Sequence, residues 1–267
     1  MTVDLEVRNL VGAYCHEVTT GDPDPWSLTW SVDAVWGIPG GGTINGRTAI
    51  REQFASVRST YLLCVQAVLS ATIQVGLIAA TAERTGGASR MQIGSDQGAL
   101  LELLVRLTGA RRAVEVGTFT GYSALCIARA LGPDGSLTCC DVSDEWTSIG
   151  RPFWEEAGVA DRIDLRIAPA IETLRSLPAA EPVDFAFVDA DKPGYVDYFE
   201  ALVGLLRPNG LMLADNTLWS ARVLQDDADL DDQSVAIKRF NDHVAADPRV
   251  ESYILPVGDG VTLIRKR

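Results

Sequence analysis

From residue 112 onward, short β-branched runs alternate with longer helical patterns, and this alternation limits the fold more than any other feature of the chain. The runs are RAVEV at 112–116, SLTCCD at 136–141, IDLRI at 163–167, VDFAFVD at 183–189 and GLMLAD at 210–215. Strands separated by helix-length stretches can be joined by crossovers, and apolar runs without alternation belong to strands buried on both faces. The pattern therefore predicts an α/β fold with a largely parallel sheet. Two further runs, ESYILP at 251–256 and GVTLIRK at 260–266, are separated only by Val257, Gly258 and Asp259. So short a connection makes a hairpin but not a crossover, so the final strand is expected to run antiparallel.

With 267 residues and 47% hydrophobic content, the chain can bury one good core or two modest ones, and one enzyme domain with an appendage is expected. A formal net charge of -13 argues against a nucleic-acid partner, because phosphate recognition needs clustered Lys and Arg. It disfavours an anionic membrane surface for the same reason. The N-terminus, MTVDLEVRNL, shows no basic region followed by an apolar run, and no stretch has the length of a membrane span, so a cytoplasmic location is expected. Cys15, Cys64, Cys126, Cys139 and Cys140 are odd in number, lack metal-type spacing and mostly sit in apolar runs. They read as buried thiols.

Residues 1–57 differ in character from the rest. They carry a helix-like start (VRNLVGAYCHEV), an Asp/Pro-rich turn (GDPDPW), a Trp-bearing strand-like stretch (SLTWSVDAVWGIP), a glycine turn and a capped helix from about Thr48. Trp26, Trp30 and Trp36 call for burial, as aromatic core or against a substrate. A second biased segment, 226–232, has five aspartates in seven residues and reads as an exposed loop.

Three clusters carry chemistry. Glu115, Gly117, Thr118, Gly121 and Ser123 follow a strand and open a helix. Glycines there let the backbone approach a ligand, and a helix N-terminus offers free amide donors. An ordinary strand-to-helix turn is the plainer reading. The spacing is G-x-x-x-G with an acidic residue two positions earlier, which suits a cationic ammonium better than a pyrophosphate. Asp141 ends the next strand, where a carboxylate can accept both ribose hydroxyls or simply cap a helix. Together the two describe a nucleoside bearing an amino acid, and S-adenosylmethionine fits that description. The third cluster is Asp189, Asp191, Lys192, Tyr195 and Tyr198 after the fourth strand, with Asp215 and Asn216 after the fifth. Two carboxylates and an amide oxygen from this cluster form an oxygen-only donor set suited to a divalent cation, Mg first, with Mn and Ca as alternatives. Salt-bridged helix caps would use the same residue types.

The blocks MQIGSDQGALLELLVRLTGARRAVEVGTFTGYSAL, FVDADKPGYVDYFE, ADNTLW and LPVGDGVTLIRKR resemble the cation-dependent O-methyltransferases, the group of catechol and caffeoyl-coenzyme A O-methyltransferases and their small bacterial relatives. The likeness runs from about Tyr61 to the end, which sets the expected division at 1–57 and 58–267. It implies a class I methyltransferase Rossmann-like fold with a seven-stranded sheet, and a homodimer. Cofactor contacts carry over onto Glu115, Gly117, Thr118, Ser123, Asp141, Ala170 and Asp191, metal ligands onto Asp189, Asp215 and Asn216, and the general base onto Lys192. The sequence departs from the family at Ala168, where glycine is usual, and at Ile93, where Thr or Ser is common. The N-terminal segment, through its helix, its Asp-rich turn and GRTAIREQF, resembles the opening half of a SnoaL-like, NTF2-type α+β domain.

The activity so implied is methyl transfer from S-adenosylmethionine to one hydroxyl of a vicinal diol, in particular a catechol, in secondary metabolism. A cation would chelate both diol oxygens and acidify one of them, and Lys192, neutral at that moment, would take the proton. Tyr195, Tyr198 and Trp219 can flank the acceptor ring or pack in the core. The aspartates of 226–232 would repel a coenzyme A thioester, which favours a small phenolic acceptor. Two other readings stay open at this stage: a metal-independent methyltransferase, and a non-enzymatic binding or cyclase-like role of the N-terminal segment.

Overall fold

The computed structural model describes residues 30–38, 42–226 and 230–267. The helix-like start, the GDPDPW turn, Trp26 and Cys15 lie outside the described residues, as do the side chains of Trp36 and Cys64, part of the glycine turn, and 227–229 of the aspartate segment. The chain divides into two compact units, 1–76 and 77–267.

In the first unit, strands β1 (Val35–Ile38) and β2 (Gly42–Asn45) pair antiparallel, Val35 opposite Asn45. The Arg47 guanidinium closes this turn by donating to the Trp30 carbonyl at 2.7 Å, and Trp30 itself is half-buried. Helix α1 (Arg47–Thr85) begins here and runs without interruption through residue 57 into the second unit.

The second unit is a seven-stranded sheet built from β3 (Arg112–Val116), β4 (Ser136–Asp141), β5 (Ile163–Ile167), β6 (Val183–Val188), β7 (Leu206–Ala214), β8 (Val250–Leu255) and β9 (Val261–Lys266). The order is β5-β4-β3-β6-β7-β9-β8. The first five run parallel, and β9 alone runs against them, as the short 257–259 connection requires. Central β3 and β6 are buried along almost their whole length, whereas edge strand β8 is exposed at four of six positions. The apolar runs of the sequence follow this gradient. Strand β7 starts four residues earlier than GLMLAD suggests. The register shifts by a bulge before Leu211, and Asn209 takes φ 63°, so a Pro-containing stretch without strand character extends the strand.

Helix α2 (Ser95–Thr108) precedes β3, and the helices α3 (Tyr122–Ala130), α4 (Asp144–Thr147), α5 (Arg151–Glu156), α6 (Ala170–Ser176), α7 (Tyr195–Leu205) and α8 (Asp232–Ala246) lie between the strands. Their ends are cued locally. Gly109 at φ 60° terminates α2, Ser143 accepts from Trp146 N–H to open α4, and Asp231 accepts from Ser234 N–H at 2.8 Å to open α8. Two aspartates of the 226–232 segment are thus structural, Asp231 as this cap and as a partner of Arg222, Asp232 as the first residue of α8. Tyr195, Phe199 and Phe240 pack edge-to-face in the core between β6, α7 and α8. Cys126, Cys139 and Cys140 are buried, as their apolar surroundings suggest.

From β3 the chain winds outward to β5 and then returns to β6 on the other side of β3. The crevice at the carboxyl ends of β3 and β6 is therefore the topological switch point, the place where such sheets bind ligands.

Candidate active site

The carboxyl ends of β3, β4, β6 and β7 surround a cleft of about 970 Å³. Gly117, Asp141, Ala170, Asp189, Asp191, Lys192 and Asn216 all line it. Thr118 and Ser123 line a narrow recess of about 20 Å³ that shares Gly117, Phe119 and Asp189 with the cleft. Glu115 and Asp215 lie just below the surface, 0% and 3% exposed.

Gly117 sits at φ +89°, and a Cβ on it would stand 1.9 Å from the Asp189 carbonyl oxygen. Only glycine lets these two strand ends approach so closely. Beyond it, the carboxylate of Asp141 accepts from the N–H groups of Thr118 at 2.9 Å, Phe119 at 2.8 Å and Ser143 at 2.8 Å. Asp141 therefore fixes the glycine loop and faces the cleft in one role. Phe119, held at φ 50°, stacks edge-to-face on Trp146 at 5.0 Å, and the pair forms an apolar wall beside Asp141.

Glu115 is a carboxylic acid inside the protein. Burial pushes it from its ordinary value of 4.5 up to about 7, and the neighbouring Ser123, Thr118 and Cys139 side chains offset that only in part. Neither carboxylate oxygen, nor the buried Thr118 hydroxyl, has a partner with hydrogen-bond geometry. Buried polar atoms left this way are costly, and a cationic ligand group in the adjoining recess would relieve them.

The second half of the site is centred on Lys192, only 6% exposed. Its Nζ donates to Asn216 Oδ1 at 2.8 Å, to Asp189 Oδ1 at 3.2 Å and to the Tyr195 hydroxyl at 2.6 Å. The Tyr195 hydroxyl donates in turn to the Asp215 carbonyl at 3.1 Å. Tyr195 is fully buried, so it supports Lys192 from the core and does not flank an acceptor ring. Tyr198, which does reach the cleft, donates to Asp191 Oδ1 at 2.6 Å. The Trp219 ring lies 5.5 Å from Lys192 Nζ and also lines the cleft.

Burial raises Asp189, with Lys192 pulling the other way. Asp215 is pushed up to about 7, first by burial and then by the charge of Asp189, with the Gln97 side chain and the Asn216 N–H as partial offsets. One ammonium faces the half-buried carboxylate of Asp189, the buried one of Asp215 and an amide oxygen. This hard, oxygen-only set with an excess of negative charge fits a divalent cation. A cluster that geometry alone would nominate, Glu200, His243 and Asp247, is instead bridged by Arg249, which donates to Glu200 at 2.8 Å and to Asp247 at 2.5 Å.

Sequence reasoning missed the loop after Asn216. Asn216, Trp219, Ser220 and Ala221 all take positive φ, between 47° and 61°, without a glycine among them. Each non-glycine residue in that region costs on the order of 1 kcal/mol, so the loop is held in place by its surroundings. No composition signal marks such a loop. Phe119 and Trp146 were legible only as a residue inside the glycine motif and an aromatic one turn past a cap.

A family model for O-methyltransferases matches residues 66–267. The chain belongs to the O-methyltransferase family. Within it, the chain is 45% identical over 188 residues to Tricin synthase 1 of Oryza sativa subsp. japonica, covering 66% of this chain and 75% of that protein. It is 44% identical over 185 residues to Caffeoyl-CoA O-methyltransferase 2 of Zea mays, covering 66% and 70%. Among solved structures, O-methyltransferase TomG from Streptomyces achromogenes, involved in tomaymycin synthesis and in complex with SAM, superposes with a TM-score of 0.67 at 32% identity, over 73% of this chain and 89% of that one. The Bacillus cereus O-methyltransferase in complex with SAH gives a TM-score of 0.67 at 31% identity, over 73% and 91%. A SnoaL-like domain model matches residues 1–119, overlapping the first and reaching into the glycine loop. The protein is an S-adenosylmethionine-dependent O-methyltransferase with a SnoaL-like N-terminal segment. No helix among the described residues is long and apolar enough to cross a membrane.

Proposed function

We propose that this enzyme methylates one hydroxyl of a catechol or other small vicinal diol, using a divalent cation held by Asp189, Asp215 and Asn216. The observation that carries this reading is the convergence of the half-buried Asp189 carboxylate, the buried Asp215 carboxylate and the Asn216 amide oxygen around Lys192, at the strand ends beside the cofactor cleft. When bound, the cation supplies Lewis-acid activation of the acceptor hydroxyl. Lys192, held in the same cluster by Asp189, Tyr195 and Asn216, gives up its extra proton when the cation binds and, as the neutral amine, takes the hydroxyl proton as the oxygen attacks the methyl carbon and the carbon–sulfur bond breaks. Tyr195 holds the Lys192 amine at its station, and Trp219 offers a ring face for the acceptor. At the donor end, Glu115 and Ser123 receive the amino-acid portion, Asp141 the ribose, and Ala170 with Asp191 the far side of the cleft. Asp226, Asp231 and Asp232 place negative charge on the segment following Trp219, which supports a small phenolic acceptor over a coenzyme A thioester. A division of the chain near residue 57, a homodimer, a cytoplasmic location and a place in secondary metabolism belong to the same proposal.

The test is transfer of label from methyl-labelled S-adenosylmethionine to a panel of catechols, with Mg and with EDTA. Turnover of at least one catechol in Mg and its loss in EDTA is the expected result. Full turnover in EDTA would remove the metal, and no turnover of any diol would remove the acceptor class.

A further inference from the structure

Resting on that reading, we infer that Asp259, in the turn between β8 and β9, is a positioning residue for the acceptor. Its carboxylate clamps the left-handed loop that carries Trp219 and thereby sets the acceptor wall of the cleft. The strain in the loop calls for such a clamp. Trp219, Ser220 and Ala221 sit at φ 47°, 52° and 61°, a run that L-residues do not hold unaided. The chain before this run is tied to the hairpin by main-chain bonds, from Thr217 N–H to the Gly260 carbonyl and from Leu218 N–H to the Asp259 carbonyl, both at 2.9 Å. Gly260 must be glycine for this approach, since a Cβ on it would stand 2.7 Å from the Leu218 nitrogen.

Within the strained run, the grip comes from a side chain. Asp259 Oδ1 accepts from the Ser220 N–H at 2.6 Å. A charged acceptor on a backbone donor is among the stronger hydrogen bonds, and it acts on the residue next to Trp219. Trp219, Ser220 and Asp259 all line the cleft, and the Trp219 ring stands 5.5 Å from the Lys192 amine. The donor-side residues Glu115, Asp141 and Ala170 come from other strand ends and share no bond with this clamp. Losing the clamp should therefore weaken acceptor binding while leaving the methyl donor untouched.

The experiment compares wild type, Asp259→Ala, Asp259→Asn and the double variant Asp259→Ala/Ser220→Gly in the full-length chain. It reads KM and kcat for a catechol acceptor that wild type turns over in Mg, Kd for S-adenosylmethionine, and amide exchange of residues 217–224. Asp259→Ala should raise the acceptor KM about tenfold with the donor Kd within twofold, and should speed exchange in 217–224 while β3 stays protected. Asp259→Asn keeps an oxygen acceptor and should recover most of the loss. Glycine at 220 adopts the left-handed conformation unaided and should recover it too. An unchanged acceptor KM, an equal loss of donor affinity, or failure of Asp259→Ala to fold would each overturn the clamp. Should wild type methylate no catechol, the proposed function falls separately. Exchange in 217–224 then decides the clamp alone, faster exchange in Asp259→Ala supporting it and unchanged exchange overturning it.

Discussion

Glu115 shows how a single residue couples stability to ligand. Its carboxyl titrates near 7 when folded and near 4.5 when free, because burial penalises the charged form. Between those values the folded protein binds more protons than the unfolded chain, so this group makes stability fall as pH rises through that window and leaves it level above. Asp215, also pushed up to about 7, acts with the same sign. Glu115→Gln removes the buried charge and should stabilise the ligand-free protein by about 3 kcal/mol at pH 8 and by much less at pH 5. Urea unfolding of both proteins at the two pH values measures this. The same variant should bind S-adenosylmethionine more weakly, and a variant that is both less stable at pH 8 and equally tight would refute the assignment. At this scale the site was largely readable. Asp141, Asp189, Asp215 and Asn216 close or directly follow apolar runs and Glu115 is the next-to-last residue of one, and strand ends are where parallel sheets present side chains to ligands. Tyr195 was ambiguous because its spacing fits both a ring-facing and a core position. Burial resolved it in favour of the core, with its hydroxyl turned to Lys192.

At the scale of elements, the close contact between the ends of β3 and β6 governs the cleft. Gly117 makes that contact, with its φ of +89° and no room for a methyl group against Asp189. Gly117→Ala should therefore displace Asp189 from the turn, lower stability by about 2 kcal/mol and weaken S-adenosylmethionine binding at least tenfold. Thermal unfolding and calorimetric titration check both, and wild-type affinity would contradict the close-contact account. Strands β3, β4 and β6 were legible because continuous apolar runs have few other uses in a chain of this length. The start of β7 was not, because a bulge carries Pro208 and Asn209 through the strand. The loop after Asn216 was not either. Its left-handed residues include no glycine, and its conformation depends on the β8–β9 hairpin about forty residues away in sequence.

For the whole molecule, the alternation that begins at residue 112 led to a largely parallel sheet, and the short connection at 257–259 to its antiparallel last strand. Composition contributed mainly by exclusion, since a net charge of -13 is unsuited to nucleic acid. The N-terminal segment stayed hardest to read. Its SnoaL-like match extends to residue 119, well past the stretch whose motifs suggested it, and helix α1 crosses the expected division without a break. The proposed metal site lies at the other end of the chain, where the carboxylates of Asp189 and Asp215 and the amide oxygen of Asn216 would hold a cation that activates the acceptor. It is tested most directly by the rate of labelled methyl transfer to a catechol in saturating Mg for wild type and Asp215→Ala, with donor Kd measured alongside. The account predicts a loss of about a hundredfold or more in rate with donor Kd changed less than threefold, and an undiminished rate in Asp215→Ala would contradict it.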